Sequence, residues 1–224
     1  MTRPSAVDFK LPALLLALSV VPVLGGVARL RSLAAGVPAA DEVRFLAAPF
    51  PVLIHVIAAT LYALLGAFQF STGIRRRWPR WHRRAGVLLL GCGFLVGATG
   101  VWMTAVYAIP PALQGPLLYG ARLLVGVAML ASITKGLASI LRRDIAEHEA
   151  WMIRAYALAQ GAGTQAVIVL PLILLYGEVL GLTRDILLTA AWALNITVAE
   201  WLIRRSARAA RTRPALVKRS RALV

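Results

Sequence analysis

Six apolar runs, each close to the length needed to cross a bilayer, constrain this chain more than any other feature. They lie roughly at residues 11–28, 50–72, 85–109, 117–141, 151–176 and 186–203, separated by prolines or clustered arginines. A helix rises about 1.5 Å per residue, so some 20 residues cross a hydrocarbon layer about 30 Å thick. No alternation of apolar and polar residues marks a strand, and an open sheet edge in lipid would strand its backbone polar groups. The expected fold is therefore all-α: a polytopic transmembrane bundle of six helices over residues 1–204, followed by a basic tail over 205–224. Composition agrees. The chain is 59% hydrophobic and 15% charged, against about 45–50% apolar residues in soluble domains.

The net charge of +16 would point to nucleic acid in a soluble chain. In a membrane protein the same excess sets topology, because Lys and Arg stay on the cytoplasmic side, and no nucleic-acid partner is expected. With the N-terminus inside, cytoplasmic segments hold 20 of the 25 basic residues. Four (Arg29, Arg31, Arg44 and Arg184) fall on outer segments, and Arg122 lies within a helix. Both termini are thus expected in the cytoplasm and the chain in the plasma membrane, its basic inner face against anionic lipid head groups. The first run has a basic start like a signal peptide, but Asp8 interrupts that start and Val27-Ala28-Arg29 is a poor cleavage site, so it reads as a retained helix. Pro49 and Pro51 open the second helix, Pro110-Pro111 end the third, and Pro171 is expected to kink the fifth.

Polar residues at membrane depth are costly and normally face the bundle interior. On the second helix His55, Tyr62 and Gln69 recur every seven residues with Ala59 and Gly66 between them, one polar or small face against apolar ones. Arg154, Leu158, Gly161 and Gln165 share a face of the fifth helix, and Gly86, Gly93, Gly97 and Gly100 a side of the third, where small residues let backbones approach. Asn195 lies near mid-depth of the last helix and Glu200 near its inner end. Two layers result: His55 and Arg122 in the outer one, Gln69, His82, His148, Arg154 and Glu200 in the inner. His82 and His148 each precede a helix that starts inside, so they can meet, whereas His55 lies about 20–25 Å away along the normal. Each residue also has a plainer reading: Arg154 with Glu200 as a structural ion pair, Arg122 snorkelling to head groups, His55 as a hydrogen-bonded packing residue. Cys92 reads as a small buried residue, and Trp78, Trp81, Trp151 and Trp201 as interfacial anchors.

Four ordered strings add a resemblance: His55 with Gly66-Ala67-Phe68-Gln69-Phe70; Trp81-His82-Arg83-Arg84-Ala85-Gly86; His148-Glu149-Ala150-Trp151-Met152-Ile153-Arg154-Ala155-Tyr156-Ala157-Leu158; and Asn195 with Glu200-Trp201. Over roughly residues 45–204 the chain resembles the predicted membrane protein family catalogued as domain of unknown function 2306. The family pattern carries an arginine in the middle of the fifth helix, where this chain has Gln165. The resemblance implies a fold and no activity.

Two functional classes stay open on the residues. One is a cofactor-binding, redox-type membrane protein: histidines on neighbouring helices can ligate haem b axially, and three histidines permit one such haem or metal site, at His82 and His148, with nearby arginines for the propionates. The alternative is a non-enzymatic carrier, lipid-binding or membrane assembly protein. No nucleophile elbow, zinc-binding His-Glu-x-x-His string or phosphate loop occurs to mark a hydrolase or transferase. The topology makes a direct prediction. Cysteines substituted into residues 110–115 should react with a membrane-impermeant thiol reagent on intact cells, and cysteines at 75–84 only after the membrane is opened; the reverse order would invert the expected orientation.

Overall fold

The computed structural model describes residues 7–37 and 40–221, with side chains placed for 9–37 and 43–209. Arg3 and the last residues of the expected tail, 222–224, lie outside the described residues. The described chain is all-helical: α1 (Val7–Ala34), a 3-10 helix (Ala40–Phe45), α2 (Pro49–Gln69), α3 (Thr72–Arg77), α4 (Pro79–Val106), α5 (Pro116–Leu141), α6 (Ile145–Ala159), α7 (Gly161–Tyr176) and α8 (Gly181–Arg221). Six stretches are long and apolar enough to cross a membrane, α6 and α7 together forming the fifth.

Local chemistry sets the helix ends. Proline occupies the first turn of α2, α4 and α5, where its missing N–H costs nothing and its fixed φ suits the helix. Asp144 caps α6, its carboxylate accepting the Glu147 N–H at 2.9 Å, after a turn in which Arg143 takes φ 62°. Gly177 (φ 84°) ends α7 and Gly181 (φ 60°) opens α8, left-handed positions that favour glycine. These signals carry α4 and α6 upstream of their apolar runs. His82 and His148 consequently lie within the first turns of helices rather than ahead of them, because a cap or an N1 proline, not the onset of hydrophobicity, starts a helix.

The spans form a closed ring in which α1 packs on α2, α2 on α4, α4 on α5, α5 on α8, α8 on α7 and α7 on α1. Glycines allow the close approaches. A Cβ on Gly93 would strike Tyr62 and Ile133, one on Gly97 would meet Leu130 and the Gly126 carbonyl, and one on Gly163 would run into the Leu18 carbonyl of α1. The inward face of α2 is the polar or small one, with Tyr62 and Gly66 buried and Gly66 against the Tyr156 ring.

The fifth span is interrupted at Gln160, while α7 runs continuously through Pro171. The interruption of this span thus lies at Gln160, ahead of Pro171. There the freed carbonyls find side chains of α8: Asn195 Nδ2 donates to the Ala157 carbonyl at 3.0 Å and Trp192 Nε1 to that of Leu158 at 3.2 Å. Thr164 then donates to Asn195 Oδ1 at 2.8 Å. Inserted side chains of this kind bend helices. Below the break α6 packs against α5 and α8 and touches α2; above it α7 keeps to α8 and α1. The half of the ring below the break, toward α3, is filled and the other half is left open.

Gly163 therefore fixes how near α1 comes to α7, whereas a Cβ added to Gly25 on α1 would meet nothing within 4 Å. Gly163→Ala should lower unfolding stability in detergent by about 1–3 kcal/mol through overpacking, and Gly25→Ala should be neutral or stabilising by up to about 1 kcal/mol. Equal effects in the two variants would refute the close α1–α7 contact.

Candidate functional site

The open half of the ring encloses a cavity of about 470 Å³ bordered by all six spans. It lies toward the end of the bundle opposite the arginine-rich α3. On α4 its lining runs from Val96 to Thr104 and on to Tyr107, a depth of about 16 Å at helical rise. Val96, Met129 and Leu158 make an apolar floor, and Arg29, Arg44, Arg122 and Arg184 line the walls and rim with His55 and Gln165.

Each polar group is held by a defined partner. Arg122 on α5 donates through Nη1 to the Gln114 side-chain oxygen. Arg184, in the first turn of α8, donates through Nε to the Leu113 carbonyl at 3.2 Å and reaches the Val179 carbonyl at 3.5 Å. The Arg29 and Arg44 guanidiniums lie over the Phe45 ring at 5.2 and 4.6 Å. Phe45 packs edge-on against Tyr107, whose hydroxyl donates to the Ala48 carbonyl at 2.6 Å. Gln165 Nε2 donates to the Leu188 carbonyl at 3.0 Å. His55 Nδ1 lies 2.9 Å from Thr99 Oγ1, and that hydroxyl donates to the Leu95 carbonyl at 2.6 Å. Thr99 has one proton, so His55 Nδ1 is the donor and the lone pair stays on Nε2.

Asp185 follows Arg184 but serves another purpose. It is buried, and its two oxygens accept the Gly115 N–H at 3.0 Å and the Leu118 N–H at 3.1 Å. It caps α5 from across the bundle, since Gly115 at the N-cap has no side chain to do so. Among the described residues no carboxylate lines the cavity.

The floor is sealed by a polar and aromatic layer. Tyr156 donates to the Ala63 carbonyl at 2.8 Å and accepts from Gln160 Nε2 at 2.8 Å, and Gln160 Nε2 also reaches Ser19 Oγ at 3.0 Å. Tyr62 stacks on Tyr156 with ring centroids 5.9 Å apart. Nearer the basic end Arg154 grips Glu200 in a two-pronged pair, Nε to Oε1 at 2.5 Å and Nη2 to Oε2 at 3.1 Å, with the guanidinium 4.5 Å over the Trp151 ring.

The structure thus gathers His55, Arg122 and Gln165 around one cavity and joins Arg154 to Glu200, while Asn195 serves the helix break and Tyr62 the seal. His82 and His148 lie apart from the cavity lining. His82 is within electrostatic reach of Arg75 and His148, and its Nδ1, like Gln69 Nε2, is buried without a hydrogen-bond partner among the described residues. His148 Nδ1 is 2.8 Å from the Gly136 carbonyl, to which it donates. Among the described residues no cluster of three or more His, Cys, Asp or Glu forms a metal site. The sequence pattern alone did not single out Arg29, Arg44, Arg184, Thr99, Gln160 or Trp192 as site residues. The signal for the arginines was present, since three of the four basic residues that break the charge asymmetry line this cavity.

A ring of apolar spans, with buried polar residues turned inward on one another, defines a multi-pass integral membrane protein. The chain belongs to the predicted membrane protein family catalogued as domain of unknown function 2306, which matches residues 52–203. No curated protein and no solved structure matches it. The matched segment supplies His55, Arg122, Gln165 and Arg184; Arg29 and Arg44 precede it.

The Arg154–Glu200 pair is about a quarter to a third exposed, yet removing one partner strands the other at membrane depth. Glu200→Gln should lower folded yield and unfolding stability more than the double change with Arg154→Gln, with a coupling of about 1–2 kcal/mol. Simple additivity of the two single changes would show that the pair contributes no mutual stabilisation.

Proposed function

We propose that this protein is a non-enzymatic binding protein of the carrier class in the plasma membrane, with its ligand site in the central cavity. The observation that carries the reading is the cavity itself, about 470 Å³ of space bordered by all six spans and lined by several convergent polar groups. That size falls within the range of small-molecule sites, about 300–1,000 Å³. An interrupted helix beside a central cavity is also how many membrane carriers build a binding site.

Orientation follows from charge. The exposed Arg75, Arg76, Arg77, Arg80, Arg83 and Arg84 gather at one end, which the positive-inside rule assigns to the cytoplasm along with both termini. The cavity then opens outward, and the basic end, with residues 205–224, faces anionic lipid head groups.

This reading is favoured over a haem site at His82 and His148 because neither histidine borders the central cavity. Ala162 lines the cavity and is not covered by other residues, so Ala162→Phe places a ring at its wall and obstructs it without displacing a packed neighbour. Native mass spectrometry of protein extracted in mild detergent should detect a bound small molecule on the wild type and none on Ala162→Phe, the unfolding temperatures matching. The visible spectrum should be featureless. A Soret band would return the reading to haem, and equal bound mass on both proteins would remove the cavity as the ligand site.

A further inference from the structure

Resting on the cavity as the ligand site, we infer that its ligand is an organic anion with an apolar body, the anionic group held by Arg122 and Arg184 and the body on the floor of Val96, Met129 and Leu158.

The arginines converge from separate parts of the fold. Arg122 comes from α5 and Arg184 from α8, while Arg29 on α1 and Arg44 on the 3-10 helix complete the rim. No helical periodicity forces such a meeting. A guanidinium at membrane depth is costly, and the usual compensation is a carboxylate in direct contact. Here the acceptors found by Arg122 and Arg184 are neutral: the Gln114 side-chain oxygen and the Leu113 and Val179 carbonyls. Asp185 offsets one charge at most, and both its oxygens already accept backbone N–H groups. The cavity is thus a positive site in a medium of low dielectric constant, where the attraction for an anion is far stronger than in water. Guanidinium groups match carboxylate and phosphate oxygens in two-pronged fashion.

The remainder of the lining selects an amphiphile over an inorganic ion. The floor about 16 Å below the rim is apolar, and a hydrated anion would leave it wet. An alkyl or aryl chain excludes that water and gains roughly 0.8 kcal/mol per buried methylene group. His55 lies along the wall between rim and floor with a nitrogen lone pair, positioned to accept a hydrogen bond from a hydroxyl on the ligand. An anionic head group of this chemistry belongs equally to a free amphiphile from the outer water and to an anionic phospholipid.

The test uses the full chain purified in a non-ionic maltoside detergent, with decanoate, decyl phosphate and decanol as probes and tryptophan fluorescence following thermal unfolding. Decanoate and decyl phosphate should raise the unfolding temperature saturably, and decanol should not. Arg122→Gln should weaken decanoate binding at least about tenfold. Should that variant fold poorly, Ala162→Glu supplies a carboxylate from the uncovered wall and should abolish the decanoate response without loss of stability. Decanol binding as tightly as decanoate, with Arg122→Gln and Ala162→Glu neutral, would overturn the anion and leave the cavity as a ligand site. A failure of all three probes would overturn both the anion and the cavity reading. Repeating decanoate binding in phosphatidylcholine nanodiscs with and without phosphatidylglycerol separates the sources. Competition by phosphatidylglycerol supports the anion and assigns it to a lipid head group; unchanged affinity supports a free amphiphile.

Discussion

A hydrocarbon layer offers the backbone no hydrogen bonds, so every peptide group in a span must be satisfied within its own helix or by a side chain brought to it. The architecture turns on the point where the fifth span takes the second course. At Gln160 the ladder lapses, and the carbonyls of Ala157 and Leu158 pass to Asn195 and Trp192 of α8. Gly161 fits against the Trp192 indole and Gly163 against the Leu18 backbone, places where any Cβ would collide. On the two sides of this exchange the packing differs: α6 lies against α5 and α8 and touches α2, whereas α7 lies against α8 and α1.

Charge divides along the same line. At the basic end Arg154 has a carboxylate partner in Glu200, and exposed arginines cluster around α3. At the other end Arg122 and Arg184 make do with amide and carbonyl oxygens, while Asp185 is consumed as the cap of α5. Aromatic groups fix this arrangement in place, with Phe45 beneath Arg29 and Arg44 and Tyr107 behind Phe45.

Much of the fold was legible in the sequence because lipid imposes a crude, strong rule. An apolar run such as residues 85–109 must be a helix, and Pro49 marks a start that holds whatever packs nearby. The stripe of His55, Tyr62, Gly66 and Gln69 likewise announced the inward face of α2. The break at Gln160 was not legible. It coincides with two side chains 32 and 35 residues further along the chain, and no local signal says that Trp192 and Asn195 will arrive there. The site was half legible. His55, Arg122 and Gln165 stood out as polar residues in apolar runs, but Arg29, Arg44 and Arg184 sit at span ends, where an arginine ordinarily needs no explanation. No pattern within a single span says that three such ends will meet around one cavity.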